Sequence, residues 1–266
     1  MKVVRLFEDN MFEHELQAIQ ALNLDLEMVV RPSQTPSEII ENAKDADIII
    51  TVYEPLTKEV LSQLPNLKLV VYRSIGFNSV DLAYANERQL PVSHITQYCV
   101  DEVANYVVAA ILSHNRRILD FNQSVKVDHK WDYELFPDMR RLSSLTVGLI
   151  GFGNIPRLVA QRLQVFGCKV MAYDPFVPAE VFANAGVTQV SLEEIFAHSD
   201  YISSHLPLND STKEMLNATL FNLCENQPVF INSSRGGVVN EKDLVAALQS
   251  GKLSYAILDV VHSEDP

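Results

Sequence analysis

The sequence predicts an α/β protein with two doubly wound parallel sheets, one in each of two domains. Short apolar runs alternate with helical patterns along the whole chain, which is typical of βαβ units. Glycine-rich turns and charged residues follow several of these runs directly, at the strand ends where open parallel sheets bind ligands. With 266 residues, 47% of them hydrophobic and 21% charged, the chain is long enough for two separate cores.

The first domain is predicted over residues 1–95 as a small flavodoxin-like unit. Its strands are predicted from apolar runs at residues 3–7, 26–30, 47–52, 67–72 and 91–94. Helical patterns lie between them at residues 13–22, 36–43, 57–64 and 80–89. Pro36, followed by Ser37 and Glu38, and Pro55 shortly before Thr57 are typical of helix starts.

A long apolar stripe over residues 101–127 predicts one long, largely buried helix at the start of the second domain. The sequence alone leaves two interpretations of the stripe open, an ordinary core helix and a contact with a second copy of the chain. The stripe consists of Val103, Tyr106, Val107, Ala110, Ile111, Ile118 and Phe121.

The second domain is predicted over residues 96–266 as a Rossmann-type unit, with a polar segment at 126–141 that contains Trp131. Its strands are predicted at residues 146–150, 168–173, 187–190, 200–205, 228–233 and 253–260. Its helices are predicted at residues 155–166, 192–197, 219–223 and 240–249.

Composition excludes several classes of partner. The net charge of −13 argues against binding to nucleic acid or to an anionic membrane. No apolar stretch approaches the roughly 20 residues of a membrane span, and the first residues predict a strand rather than a signal peptide. Cys99, Cys168 and Cys224 are scattered without metal-ligand spacing, so we expect reduced thiols, a cytoplasmic protein and no metal site.

A glycine turn follows the strand at 146–150 and predicts a phosphate-binding site. Gly151 allows a tight turn, and Gly153 lets the backbone approach a pyrophosphate. The amides near Asn154 and Ile155 lie at a helix N-terminus, where the helix dipole favours an anion. Pro156 stands where the third glycine of this pattern is usual, so we expect the helix to lie slightly further from the strand.

Asp174 ends the next strand, 23 residues after Gly151, near the spacing of about 20 expected for an acid that binds a ribose. A carboxylate there accepts hydrogen bonds from ribose hydroxyls and repels a 2′-phosphate, which favours NAD over NADP. The alternative is a solvated aspartate in the turn before Pro175.

Arg235 and Glu264 each follow an apolar run that predicts a buried strand. The planar fork of an arginine suits a substrate carboxylate, because it can bind two oxygens at once. A buried glutamate suits the task of raising the pKa of a partner histidine. Taken singly, Arg235 could also be a surface residue in a glycine turn, and Glu264 a solvated carboxylate.

Several segments occur in one family's order and spacing: residues 72–78, the glycine turn, residues 232–237 and residues 259–266. Together they resemble the D-isomer-specific 2-hydroxyacid dehydrogenases, which include phosphoglycerate dehydrogenase and the C-terminal-binding-protein corepressors. The resemblance implies an NAD-dependent oxidoreductase that transfers a hydride between the cofactor and a D-2-hydroxy or 2-keto acid. It also implies a cleft between two domains and a homodimer formed through the cofactor domain.

The resemblance assigns roles residue by residue. Arg235 would bind the substrate carboxylate and polarise the keto oxygen, and Glu264 would pair with the acid–base histidine. The backbone of Ser74, Ile75 and Gly76 would hold the other face of that carboxylate. The remaining positions would line the cofactor, with the last three on the nicotinamide side: His205, Pro207, Ser233, Ser234 and Asp259.

The family's acid–base histidine lies beyond the Glu-Pro segment, and this sequence stops at Pro266. We do not assign His262 to that role, because it lies beside the glutamate and not at the family position. We expect that a C-terminal segment is missing from the sequence, including the family's last strand and returning helix. The alternatives are a natural truncation without activity, an NAD-sensing corepressor-like scaffold, and an inactive paralogue, which Pro156 alone supports.

Overall fold

The computed structural model describes residues 1–21, 23–137 and 139–262. The chain divides into two compact units, the first being Met1–Tyr98 and the second beginning at Cys99. Each unit is an α/β structure built on one parallel sheet, which confirms the predicted fold class.

The first unit has a five-stranded sheet in the order β2-β1-β3-β4-β5, with every neighbouring pair parallel. This is the flavodoxin-like order. Its strands are β1 (Lys2–Arg5), β2 (Glu27–Val30), β3 (Ile48–Thr51), β4 (Leu69–Tyr72) and β5 (Val92–His94). Its helices are α1 (Phe12–Ala21), α2 (Pro36–Ala43), α3 (Lys58–Ser62) and α4 (Leu82–Glu87).

Local sequence explains where these helices begin. Thr35 caps α2 through a capping box with Glu38, and Pro36 occupies the first turn, where a missing amide costs nothing. Thr57 and Asp81 cap α3 and α4 by accepting from backbone amides. Each predicted helix of this unit therefore forms, although α3 and α4 are shorter than their apolar patterns predict.

The second unit has a six-stranded parallel sheet in the order β11-β10-β9-β6-β7-β8, which is the Rossmann order. Its strands are β6 (Thr146–Ile150), β7 (Lys169–Tyr173), β8 (Thr188–Gln189), β9 (Tyr201–Ser204), β10 (Val229–Asn232) and β11 (Tyr255–Leu258). Its helices are α5 (Val100–Asn115), α6 (Ile118–Lys126), α7 (Asn154–Val165), α8 (Ala179–Asn184), α9 (Leu192–His198), α10 (Ala218–Phe221) and α11 (Glu241–Gln249).

The prediction of one long helix over residues 101–127 is wrong. The structure has two helices there, α5 and α6, separated at Arg117, whose backbone adopts a left-handed conformation with φ of 50°. A single left-handed residue ends an α-helix and changes the direction of the chain. The apolar stripe continues across this break, and for that reason its periodicity does not reveal it.

Apolar side chains cover both faces of the second sheet. Val147, Leu149 and Ile231 belong to one buried cluster with α5 and α7, while Ile150 and Phe230 belong to another with α9, α10 and α11. This alternation is that of a sheet with helices on both sides. Among the described residues, no helix is long and apolar enough to cross a membrane.

Candidate functional site

Five predicted site residues lie in a row at one edge of the second sheet. Each directly follows the last residue of a strand, so all five lie at carboxyl ends of parallel strands. In sheet order they are Asp259, Ser233, His205, Gly151 and Asp174. Since neighbouring strands are about 4.8 Å apart, the row extends over about 19 Å. Within the row, His205 and Gly151 lie on either side of the point between β9 and β6 where the strand order reverses, and such sheets bind ligands at that point.

Gly151 and Gly153 have different structural tasks in the turn between β6 and α7. Gly151 has φ of 92°, and a Cβ added there would lie 3.0 Å from the backbone oxygen of His205. A side chain would therefore strain the turn and press on the neighbouring strand end. A Cβ at Gly153 would meet no heavy atom within 4 Å. The absence of a side chain at Gly153 thus leaves open space beside the first turn of α7.

The first turn of α7 leaves its leading amides without a side-chain cap. Gly153 is the N-cap residue and has no side chain to accept from the amides of Asn154 and Ile155. Pro156 is buried in that turn, and the helix continues to Val165. The departure from the glycine pattern at residue 156 is therefore compatible with an intact helix N-terminus, a favourable place for an anion.

Asp174 is held beside the glycine turn by two backbone amides. Its Oδ2 accepts from the amide of Phe152 at 2.9 Å, and its Oδ1 accepts from the amide of Phe176 at 2.9 Å. The carboxylate is half-buried, and each of its oxygens has a further lone pair that can accept a hydroxyl. The aspartate therefore braces the turn and keeps one acceptor position on each oxygen.

His205 is enclosed and electrically neutral. Burial lowers the pKa of its imidazole to about 3, so the imidazole is uncharged at physiological pH. Its Nε2 is buried and has no hydrogen-bond partner among the described residues. A ring with this pKa is poorly suited to accept and return a proton near neutral pH. Pro207, two residues further, is exposed.

Serines continue the row from β9 to β10. Ser204 Oγ and Ser234 Oγ are 3.2 Å apart, and Ser233 Oγ is buried without a partner among the described residues. Buried hydroxyls are nearly always hydrogen-bonded, so orphaned ones at a strand end indicate a polar ligand. With the open space at Gly153 and the acceptor at Asp174, these atoms fit a dinucleotide laid along the row.

Asn232 fixes the turn that carries Arg235, a task that the sequence analysis did not identify. Its Oδ1 accepts from the amide and the hydroxyl of Ser234, at 3.1 and 2.8 Å, and its Nδ2 donates to the Arg235 oxygen at 3.0 Å. An asparagine as the last residue of a buried strand was the available signal. The guanidinium donates from Nη1 to the Ser234 oxygen and forms no ion pair with any described residue.

The chain after β11 crosses this turn. A Cβ at Gly236 would lie 2.0 Å from the oxygen of Val261, so only glycine fits there. The amide of His262 then donates to Glu241 Oε1 at 2.6 Å, at the start of α11. The predicted residue Glu264 lies outside the described residues.

The other predicted substrate residues belong to the first unit. Ser74 Oγ donates to the Gly76 oxygen at 2.6 Å, and the oxygen of Ile75 lies 3.0 Å from His94 Nδ1. The turn after β4 is thus fixed by its own side chain and by the end of β5.

Known proteins share both the sequence and the fold of this chain. Residues 108–266 match a family described as "D-isomer specific 2-hydroxyacid dehydrogenase, NAD binding domain". The chain belongs to this dehydrogenase family. The family membership predicted from the sequence is therefore confirmed, and residues 108–266 are the family's NAD-binding domain.

Relatives within the family differ in their substrates. A hydroxypyruvate reductase from Blautia hydrogenotrophica is 34% identical over 235 residues, which are 85% of this chain and 71% of that protein. A D-3-phosphoglycerate dehydrogenase from Sus scrofa is 34% identical over 242 residues. That match covers 91% of this chain but 45% of the relative, so the chain spans about half the length of the phosphoglycerate dehydrogenases it matches.

A solved dehydrogenase structure has a similar fold. The D-lactate dehydrogenase from Aquifex aeolicus, determined with NAD and lactic acid, superposes with a TM-score of 0.87 at 33% identity. The superposition covers 99% of this chain and 78% of that one.

Proposed function

We propose that this dehydrogenase-family protein is an NAD-dependent oxidoreductase acting on a D-2-hydroxy acid and its 2-keto acid. The observation that carries the proposal is the row of strand ends from Asp259 to Asp174, together with Arg235 on the turn after β10, which forms no ion pair with any residue that the structure describes. The first unit, Met1–Tyr98, is the proposed substrate domain, and the second unit is the proposed cofactor domain.

The proposed cofactor residues each meet one part of a dinucleotide. Leading amides of α7, beside the open Gly153, hold the pyrophosphate, and Asp174 accepts from the ribose hydroxyls of the adenosine half. His205 and Pro207 line that half, while Ser233, Ser234 and Asp259 serve the nicotinamide half. When bound, the nicotinamide ring supplies or accepts the hydride. The chain's own part is to bind and orient it.

The proposed substrate residues hold the acid in one orientation. Arg235 binds the carboxylate and polarises the keto oxygen, because its guanidinium is fixed through the Ser234 oxygen and has donors to spare. The backbone of Ser74, Ile75 and Gly76 holds the same carboxylate from the first unit. Glu264 would raise the pKa of the family's acid–base histidine.

A homodimer is the proposed assembly, formed through the second unit. Large apolar side chains are exposed on α5, on α6 and on the segment that follows, which is typical of a surface that binds another protein. They include Tyr106, Ile118, Leu119, Val125, Val127, Trp131, Tyr133 and Leu135. A second copy of the chain that presents the same patch is the simplest partner. The free thiols of the three cysteines support the proposed cytoplasmic location.

Substitution of Arg235 tests the proposal. In the full natural protein, Arg235→Ala should abolish turnover of 2-keto acids and leave the Kd for NADH nearly unchanged, because the guanidinium binds substrate and not cofactor. Arg235→Lys should restore little activity, since a point charge cannot bind two oxygens in one plane.

Steady-state NADH oxidation and fluorescence titration measure the two effects. Near-normal turnover by the Ala variant would disprove the assignment of the carboxylate to Arg235. Tight NADH binding by the unaltered protein without turnover of any 2-keto acid would favour a cofactor-sensing scaffold instead.

A further inference from the structure

The first unit contains a cavity of about 580 Å³ that the proposed function does not explain in full. It lies where β1, β3 and β4 end, and Ser74, the first residue of the proposed substrate turn, lines it. A 2-keto acid whose carboxylate is bound at that turn has its distal group within reach of this cavity. The chemistry of the lining therefore bears on which 2-keto acid the protein accepts.

The cation in the lining is already paired. Arg73 donates from Nη1 to Glu15 at 2.8 Å, and its Nη2 lies 2.6 Å from Asp9. Arg5 binds the same two carboxylates, at 2.9 and 2.5 Å, and its own side chain is fully buried. The four side chains form a closed ring of alternating charge, with both guanidinium groups over the ring of Phe7.

The ion pairs between these arginines and carboxylates shift the pKa values of Asp9 and Arg73. Burial by itself would raise the pKa of Asp9, but bonds from the Met11 amide, Arg5 and Arg73 lower it to about 2. The pKa of Arg73 is raised, since its bonds to Glu15 and Asp9 outweigh the effect of burial. An incoming phosphate would therefore meet a guanidinium whose positive charge is already balanced by two carboxylates, which would repel it.

A further carboxylate lines the cavity without a cation. Glu54 Oε2 accepts from the hydroxyl of Thr51 at 2.6 Å and from the amides of Val52 and Tyr53, at 2.8 and 3.2 Å. Among the described residues, Glu54 takes part in no ion pair. Of the residues that the structure describes, one arginine and three carboxylates line the cavity, so their summed charge is negative.

The rest of the lining is apolar or aromatic, including Val52, Tyr53 and Ile95. We infer that the substrate is a 2-keto acid whose distal group carries no negative charge, so that phosphorylated and dicarboxylic keto acids are excluded. This inference rests on the proposed function and narrows its substrate class. It separates the protein from the activity named for its phosphoglycerate dehydrogenase relatives.

Matched substrate pairs test the inference on the full natural protein. Hydroxypyruvate and 3-phosphohydroxypyruvate differ only in the phosphate, and 2-oxobutyrate and oxaloacetate differ by a methyl against a carboxylate. In each pair, kcat/KM for the more anionic member should be lower by about 100-fold, since like charges brought together at a binding site cost several kcal/mol.

The outcomes separate the inference from the function on which it rests. Equal or faster turnover of the anionic members overturns the inference and leaves the proposed oxidoreductase intact. A protein that binds NADH but reduces no 2-keto acid of either kind overturns both.

A charge variant at the cavity provides an independent measurement. Tyr53 is 83% exposed and lines the cavity. Tyr53→Arg adds a positive charge to the cavity that would attract the phosphate of 3-phosphohydroxypyruvate. The ratio of kcat/KM for 3-phosphohydroxypyruvate to kcat/KM for hydroxypyruvate should therefore rise about tenfold. Tyr53→Gln, a neutral replacement, should leave the ratio unchanged. An equal ratio in the Arg and Gln variants overturns the placement of the distal group in this cavity.

Discussion

Gly153→Ala should weaken cofactor binding more than it weakens the fold. The backbone at Gly153 has φ of −79° and ψ of −156°, which any residue can adopt, and the new Cβ would meet no protein atom within 4 Å. The free energy of unfolding should therefore fall by only about 1 kcal/mol or less, the cost of replacing a glycine N-cap by alanine. The methyl group would instead occupy the open space beside the leading amides of α7.

The loss of affinity can be estimated from the bonds that the methyl group displaces. A hydrogen bond to a charged group contributes about 1.5–3 kcal/mol, so the loss of one amide–phosphate bond should raise the Kd for NADH roughly 10- to 100-fold. Calorimetric titration with NADH measures this, and thermal unfolding without cofactor measures stability.

Gly151→Ala serves as the contrasting variant. With φ of 92° and a Cβ 3.0 Å from the His205 oxygen, this substitution should lower the free energy of unfolding by about 1–3 kcal/mol. A normal Kd for NADH in Gly153→Ala would refute the reasoning that places the pyrophosphate at this turn. Equal destabilisation by both substitutions would refute the distinction between the two glycines.

The remaining predictions concern cofactor choice, assembly and acid stability. NADH should bind at least about tenfold more tightly than NADPH, because Asp174 repels a 2′-phosphate. Fluorescence titrations should show a smaller ratio of the two Kd values in Asp174→Asn. Equal affinities for NADH and NADPH in the unaltered protein would contradict the assignment of the ribose to Asp174. Leu119→Glu should shift the protein from dimer to monomer in sedimentation experiments, while Val165→Glu, a control on α7, should not; a dimer in both variants would place the interface elsewhere. The folded pKa of Asp9 lies below the unfolded one, so its contribution to stability is present above about pH 4 and is lost as the pH falls towards 2. Acid unfolding followed by circular dichroism should therefore lose part of its pH dependence in Asp9→Asn, and an identical acid transition would contradict this.

The sequence predicts most strands and helices here because burial on both sheet faces produces long apolar runs. It predicts their ends less well: the last strand is predicted over residues 253–260, whereas β11 spans Tyr255–Leu258. Helix α8, Ala179–Asn184, was not predicted. The break at Arg117 was missed for another reason, since left-handed backbone there has no glycine or asparagine to indicate it.

Some residues of the candidate site could likewise be predicted from the sequence, and others could not. Residues within a few positions after an apolar run, such as Asp174 and Arg235, could be found because parallel strands place their carboxyl ends together. Asn232 was missed since its contribution is a set of bonds to a turn rather than a contact with ligand. The ring of four charged side chains could not be predicted from the sequence, because Arg5 and Arg73 are 68 positions apart. The fold of β1 and β4 brings both arginines to the same carboxylates.

That ring has a consequence for the evolution of the chain. Arg5 has no exposed side-chain surface, so loss of either carboxylate partner would leave a buried guanidinium only partly neutralised, which is costly. Substitution of Arg5, Asp9, Glu15 or Arg73 alone should therefore destabilise the protein. Replacement of all four by uncharged residues would leave no unpaired charge and should be tolerated better. In descendants of this protein, the four positions should be either all retained or all replaced. An arginine without carboxylate partners, able to bind a phosphate, should therefore occur only in lineages where several of the four residues have been substituted.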